Sequence, residues 1–328
     1  MSKFTESAST MHRLSLAAME EASRLGQRTA DIEHLLLALT LDPEPAGQVL
    51  RSHGLTLEAT RVAIADQHAE QLAGVGVTTA APPPGRIVFH ETDGYAWSDR
   101  AQRVFTRASA KEYSGDASAV LTELLAEPSE LIDAVVRQAG GDPASISRDL
   151  VHAASLPDTR PRRQSRDRLA GTTEAFVPAP IAEVWTLLAD PARMHEWESS
   201  ISSVDTEAPE PGELWNARAT TERPDGTPLK IVSGLQRMTI KLVEATPESR
   251  IAWRISYPDE PRANSRIIDI GLEPAAGGTQ LRIAFTWERG ARRPRWQRVL
   301  ALFMRPAYRF AIWIQLAQLV SGISRCFR

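Results

Sequence analysis

The chain has 328 residues, 42% hydrophobic and 24% charged, with a formal net charge of −3, which suits two ordinary globular domains and excludes a fibre or a globally disordered chain. Residues 1–155 hold 13 Lys/Arg against 21 Asp/Glu and the remainder holds 25 against 20, so an acidic half precedes a mildly basic one. Cys326 is the only cysteine, which excludes an intramolecular disulfide and a cysteine-based metal site; with a first segment, MSKFTESAST, that lacks an apolar stretch, and no segment suited to spanning a membrane, it points to a cytoplasmic protein.

The first predicted element is an amphipathic helix on which Met11, Leu14, Ala18, Ala22 and Leu25 recur at spacings of three and four, ended by Gly26 as a C-cap glycine. Asp31 is placed to N-cap a second helix, residues 32–41, which Asp42 and Pro43 stop. Leu50 and Leu55 flank Gly54, a break between two further short helices. AGVGVTTAAPPPG (73–85) is an extended Gly/Pro loop, and beyond it the pattern starts again. HLLLALTLDPE (34–44) matches AVLTELLAEPS (119–129), and VLRSHG (49–54) matches VVRQAG (135–140). A separation of that size predicts a duplicated helical module, not a short-period solenoid.

EEASRLG (20–26), IEHLLLAL (32–39), VLRSHGLTLEATR (49–61) and WSDRAQRV (97–104) resemble the Clp N-terminal repeat domain, the helical module that precedes the ATPase rings of Clp-family unfoldases. The resemblance implies an all-α tandem repeat over residues 1–152 that docks adaptors and clients, reads phosphorylated arginine, or takes cyclic peptide antibiotics between its copies. It carries over Glu33 as the carboxylate for a guanidinium, with Trp97 and Ser98 at the start of the second copy; the position equivalent to Glu33 there falls near Ser118, which has no charge. Read from the residues alone, Glu33 is equally a helix-dipole partner, Trp97 is packing, and His34 is a capping or core histidine. No GxxxxGK[ST] string occurs, and the only lysines are Lys3, Lys111, Lys230 and Lys241, so ATP-driven unfolding is excluded.

Residues 153–168, which include LPDTRPRRQSRDR (156–168), read as a solvated Arg/Pro linker to a second domain, 169–328. TEAFVPAP (173–180) is a short strand. Ile181, Val184, Trp185 and Leu188 share a helical face that ends at Asp190 and Pro191, and Met194 and Trp197 belong to a further short helix. Strict alternation over Ile251, Trp253 and Ile255, over Ile268, Ile270 and Leu272, and over Leu281, Ile283, Phe285 and Trp287 predicts strands with one apolar face. PDGT (224–227), TPES (246–249) and AAGGT (275–279) are the turns that make them antiparallel hairpins. A closing helix over 294–325 is kinked or restarted at Pro306.

FVPAPIAEVWTLLADPARMHEWESSI (176–201) and RWQRVLALFMRPAYRFAIWIQLAQL (295–319) resemble the START-like (SRPBCC) superfamily in its polyketide cyclase/dehydrase-like branch. This implies an α+β helix-grip domain, an antiparallel sheet curved round a long C-terminal helix, with an apolar cavity between. Trp197, Trp215, Trp253, Phe285 and Trp287 are the candidate cavity lining for a large flat apolar ligand; an ordinary core explains them equally well. His195, Asn216, Arg218 and Arg254 are the polar candidates for orienting it. No acid/base pair stands out, so no catalytic residue, metal site or cofactor is assigned. From residue 289 onward there are nine arginines and no acidic residue, a face for anionic lipid, for nucleic acid or for the acidic half, or simply a solvated lid helix; nucleic acid is not the expected partner.

The reading as a whole is a non-catalytic binding protein. Its helical half would capture degrons, phospho-arginine proteins or Clp-directed peptide natural products as a decoy, sensor or adaptor of Clp proteolysis, with Clp protease components as further partners. Its second half would bind a hydrophobic small molecule. The alternative is a polyketide cyclase or dehydratase acting in the cavity, and a third reading has the helical half deliver the other to the Clp machinery as a client.

Overall fold

The computed structural model describes residues 3–77, 83–110, 115–155, 169–210, 214–223, 226–288 and 305–328, and the chain divides into two units, Met1–Thr159 and Arg160–Arg328, each with its own core. In the first unit α1 (Lys3–Arg24), β1 (Thr29–Ala30), α2 (Ile32–Thr40), α3 (Pro45–Ser52) and α4 (Leu57–Gly74) are followed by a second set, β2 (Ala96–Trp97), α5 (Asp99–Ala108), α6 (Ala117–Leu125), α7 (Leu131–Gln138) and α8 (Pro143–Ser155). The caps repeat with the helices. Asp31 caps α2 and Asp116 caps α6, each from extended backbone with its side chain accepting a first-turn N–H; Gly54 and Gly140, after α3 and α7, both take positive φ. β1 and β2 pair in parallel, Thr29 with Ala96 and Ala30 with Trp97, which ties the starts of the two sets together.

Every residue of α2 is buried, Glu33, His34 and Thr40 included, as in a helix packed on all sides. It packs against helices of both sets, α1, α3 and α4 from its own and α5, α6 and α7 from the other. Leu14, Ala18 and Ala22 form the buried stripe of α1; Leu25 falls beyond the helix and is 36% exposed, so the expected apolar face stops one turn early. Where α3 crosses the end of α2, a Cβ on Gly47 would lie 2.0 Å from the Asp42 carbonyl oxygen. Arg51 fills the same corner, its Nη1 donating to the carbonyls of Thr40 (2.7 Å) and Asp42 (2.9 Å), the first of which is among those that a helix end leaves unpaired.

The second unit is α+β: β3 (Leu169–Val177), α9 (Ile181–Ala189), α10 (Met194–Trp197), β4 (Ile201–Glu210), β5 (Leu214–Ala219), β6 (Arg237–Thr246), β7 (Arg250–Ser256), β8 (Ser265–Ala275), β9 (Gly278–Glu288) and α11 (Arg305–Arg325). The strands form a seven-stranded sheet in the order β3-β9-β8-β7-β6-β5-β4, antiparallel throughout. β4 to β9 therefore run as a meander and β3 closes on β9. The turn after β6 places Glu248 at φ 53° and the turn after β8 places Gly277 at φ 74°, which is the left-handed backbone that TPES and AAGGT anticipate. Of PDGT, Pro224 and Asp225 lie outside the described residues; the segment is flanked by an isolated antiparallel bridge of Glu222 with Pro228 in the β5–β6 connection.

Period-two alternation sends Ile240, Ile251, Trp253, Ile255, Ile268, Ile270, Leu281, Ile283 and Phe285 to one face, where they share a core with Ile312, Leu316, Leu319 and Ile323 of α11. This is a helix-grip arrangement. Pro306 sits in the first turn of α11, where a missing N–H costs no helical hydrogen bond; the part of the closing helix expected over 294–304 lies outside the described residues. Two glycines allow α11 to approach closely. A Cβ on Gly322 would stand 2.2 Å from the Trp197 carbonyl oxygen, and one on Gly171 of β3 would stand 2.6 Å from Cγ2 of Ile312.

Candidate functional site

The five aromatic side chains singled out as cavity lining all lie on the inner face of the grip, but three of them are packed solid. Trp197 is 1% exposed, and Trp253 and Phe285 are 0% exposed; Trp253 further donates its indole N–H to the Leu188 carbonyl at 3.0 Å. Trp215 and Trp287 are half-buried and continue the cluster edge-to-face, Trp215 against Trp253 at 5.7 Å and Trp287 against Phe285 at 5.8 Å and Tyr308 at 6.1 Å. A narrow crevice between the α10–β4 turn and α11, lined by Trp197, Glu198, Ser199, Gln315, Gln318 and Leu319, has no room for a water molecule.

None of the four polar candidates faces that interior. Asn216 and Arg218 are exposed and alternate with the buried Ala217 and Ala219, so they occupy the outer face. Arg254 alternates with Trp253 and Ile255 in the same way and pairs outside the sheet with Glu288 at 3.0 Å. His195 is exposed on α10, its Nδ1 2.8 Å from the Ala192 carbonyl. For Asn216, Arg218 and Arg254 the correction follows from strand parity, since a side chain next in sequence to an inward one points outward; His195 is on a helix surface.

Among the described residues the buried charged groups of this unit are Arg266, 6% exposed, and Glu198; Arg266 is the one on the sheet. It lies two residues before Ile268 on the inward face of β8, so the alternation over Ile268, Ile270 and Leu272 carried its signal. Its Nη2 donates to Ser200 Oγ at 2.8 Å and reaches Met238 Sδ at 3.9 Å; its Nη1 reaches Gln315 Oε1 at 3.5 Å. Glu198, 3% exposed, is its charge partner, with Oε1 3.8 Å from Nη1, a separation too long for a hydrogen bond. Glu198 Oε1 accepts instead from the Ser200 N–H at 3.1 Å. The guanidinium carbon lies 6.0 Å from the Tyr257 ring centroid. Arg266 Nε and Trp197 Nε1 are buried with no protein acceptor. The site thus joins an apolar inner face to a buried, loosely paired guanidinium with donors to spare.

In the helical unit, Asp31, Glu33, Trp97, Ser98 and Arg100 gather around the β1–β2 pairing. Ser98 is committed twice, donating to the Asp31 carboxylate and accepting from the Ala101 N–H to cap α5, and Arg100 also donates to Asp31. Trp97 is half-buried and packs edge-on against Phe105 at 4.8 Å. Glu33 is 8% exposed and its Oε2 has no protein donor; Ser118 stands at the equivalent place in α6. His34 is a capping residue, its Nδ1 accepting the Asp31 N–H at 3.1 Å, and burial pushes its imidazole below the ordinary value against the pull of Glu33, Glu21 and Asp31.

On α11, Phe310, 62% exposed, stacks on Trp313 at 5.7 Å. Among the described residues no helix is long and apolar enough to cross a membrane, and no group of His, Cys, Asp and Glu is arranged to hold a metal ion.

Residues 168–320 match the model of the family described as polyketide cyclase / dehydrase and lipid transport. No curated protein matches the chain. Among solved structures, the chain is similar to a Chromobacterium violaceum protein at 17% identity over 47% of this chain and 96% of that one, TM-score 0.30. It is similar to a polyketide-cyclase-like protein of Corynebacterium glutamicum at 17% identity over 49% and 92%, TM-score 0.31. It is similar also to the di-domain ARO/CYC StfQ from the steffimycin biosynthetic pathway at 18% identity over 57% and 60%, TM-score 0.36.

Proposed function

We propose, from a polyketide cyclase/dehydrase-like domain over residues 168–320, that the second unit binds a hydrophobic small molecule without turning it over, in a cytoplasmic protein. The observation that carries this reading is the apolar inner face of the grip. There the buried charged groups among the described residues are a guanidinium and a carboxylate, Arg266 and Glu198, 3.8 Å apart, which suits holding a ligand better than moving protons. Incubating the full chain with aromatic polyketide-like compounds and analysing both the retained and the released species by mass spectrometry tests it. Retention unchanged supports binding; a cyclised or dehydrated product supports the alternative, an enzyme of the cyclase or dehydratase kind.

For the helical unit we propose a peptide-binding role of the sort its resemblance to Clp N-terminal repeats implies: degrons, phospho-arginine proteins or Clp-directed cyclic peptides, taken up as a decoy, sensor or adaptor. What supports it is the repeated helix-and-cap arrangement together with the buried, unpaired oxygen of Glu33. Ser98 is already engaged with Asp31 and α5, which leaves Glu33 as the group to test. Calorimetric titration with a phospho-arginine peptide and with a Clp-directed cyclic peptide, on the full chain and on Glu33→Gln, decides it; no heat from either ligand removes this role.

A further inference from the structure

Asp31 and Glu33, two residues apart at the start of α2, hold their carboxylates in opposite states. Asp31 is saturated: its Oδ1 accepts from the Ile32 N–H at 2.8 Å and from the Ser98 hydroxyl, and its Oδ2 accepts from Arg100. Burial works against its charge, yet the bonds from Arg100, Ser98 and Ile32 hold the carboxyl below the usual range, so it is an anion at neutral pH. Glu33 differs. Its side chain is 10% exposed and its Oε2 is buried without a protein donor. His34 Nδ1 stands 3.8 Å from Glu33 Oε1, but that nitrogen accepts the Asp31 N–H and so presents a lone pair there, not a proton. Arg100, bonded to Asp31, is drawn at longer range by Glu33 and Glu127 as well. The two carboxylates at the start of α2 thus share one guanidinium, and the deeper of them keeps an oxygen without a donor, a costly arrangement in an interior.

Resting on the peptide-binding reading above, we infer that the place beside Glu33 takes the unmodified, cationic side chain of an arginine in a peptide and rejects its phosphorylated form, with Asp31 as the residue that sets this preference. A guanidinium can give Glu33 two parallel N–H bonds and cancel its charge, which an ammonium does less well. Phosphorylation removes that advantage by setting anionic oxygens on the side chain. The donors nearest to receive such oxygens, the Ser98 hydroxyl and Arg100, already hold Asp31, so a phosphoryl group would meet two carboxylates, Asp31 and Glu33, and be repelled by both. Asp31 fills the anion's place with a carboxylate of the protein's own.

The experiment uses the full chain and three fluorescein-labelled alanine peptides that differ at one central residue: arginine, phospho-arginine, and citrulline as the uncharged isostere of arginine. Fluorescence anisotropy gives the three affinities. The arginine peptide is expected to bind about tenfold more tightly than either of the others, the gain of a charge-assisted hydrogen bond. In Glu33→Gln the preference for arginine over citrulline disappears. In Asp31→Asn, which keeps a side chain able to cap α2 and releases Ser98 and Arg100, the phospho-arginine peptide closes most of its gap to arginine. Equal binding of arginine and citrulline by the unaltered protein, or tightest binding of phospho-arginine, overturns the inference and leaves peptide binding standing; binding of none of the three overturns the peptide-binding reading at this place and the inference with it. The comparison of the three peptides on the unaltered protein needs no variant to fold.

Discussion

Trp253 of β7 donates its indole N–H to the carbonyl oxygen of Leu188 in the last turn of α9, 3.0 Å away in the core. The last carbonyls of a helix have no partner inside it, and here one of them is met by a side chain from the sheet. The bond therefore fixes where α9 ends relative to the strands, and it explains why this position holds an aromatic with a donor and not a plain hydrocarbon.

Replacing Trp253 with Phe removes the donor and leaves both a void and a buried carbonyl. A loss of about 2–4 kcal/mol is expected from the unpaired acceptor and the unfilled volume together. Urea unfolding followed by far-UV circular dichroism should show a lower midpoint with an unchanged slope; a midpoint equal to that of the parent protein would contradict a structural bond.

Gly47→Ala reverses the usual helical preference. Within a helix, alanine ordinarily stabilises relative to glycine by about 1 kcal/mol, but a Cβ at this place lies 2.0 Å from the Asp42 carbonyl and 2.7 Å from Arg51 Nη1. The carbonyl is backbone and cannot swing aside, so α3 must move off the end of α2 and loosen the bonds Arg51 makes there. Destabilisation by about 2–4 kcal/mol is expected, within the range of overpacked cores. Thermal unfolding of the two proteins measures it, and a higher Tm for the variant would show that the two helices are not in contact at this point.

How far the fold could be read in advance depended on whether a local pattern decides the outcome. The alternation through Ile251, Trp253 and Ile255 and the turn residues at 246–249 and 275–279 fix strands, faces and hairpins locally, and the strands follow them. Asp31 and Gly54 mark helix limits for the same reason. The site was less legible. A tryptophan that packs and one that lines a cavity have identical sequence patterns, so Trp197, Trp253 and Phe285 could not be told from core until their neighbours were known. Asn216, Arg218 and Arg254 point outward by parity with their buried neighbours. Arg266 and Glu198 went unnoticed although parity pointed Arg266 inward, because their pairing joins β8 to the α10–β4 turn across the fold, a contact no local pattern carries.

His34 makes the helical unit sensitive to mild acid. Its folded value is pushed down mainly by burial, with Glu33, Glu21 and Asp31 pulling the other way and His68 adding to the depression. The unfolded chain therefore takes up a proton near the ordinary value of 6.5 while the folded one resists, so stability is full above that value and falls as pH drops below it. Gln at this third helical position keeps an acceptor for the Asp31 N–H and does not titrate. His34→Gln should lose less Tm than the parent between about pH 7.5 and about pH 5; identical losses would place the acid sensitivity elsewhere.

The pairing of Arg266 with Glu198 predicts opposite outcomes for one substitution and for two. At 3.8 Å with no hydrogen bond between them, the two charges gain less from each other than a well-formed buried pair, yet each still needs the other for neutrality. Glu198→Gln keeps an acceptor for the Ser200 N–H but leaves a buried, uncompensated guanidinium, at a cost of about 3 kcal/mol. Adding Arg266→Met removes that charge and fills the place with a hydrocarbon of similar length, so the double variant is expected to regain most of the loss and to equal or exceed the parent. Urea unfolding of all four proteins gives the coupling directly. If the double variant is instead the least stable of the four, the pair is a structural brace, and the guanidinium needs no ligand to account for its burial. If it is the most stable, the fold would be better off without the charge pair, as is common for buried ion pairs exchanged for hydrocarbon.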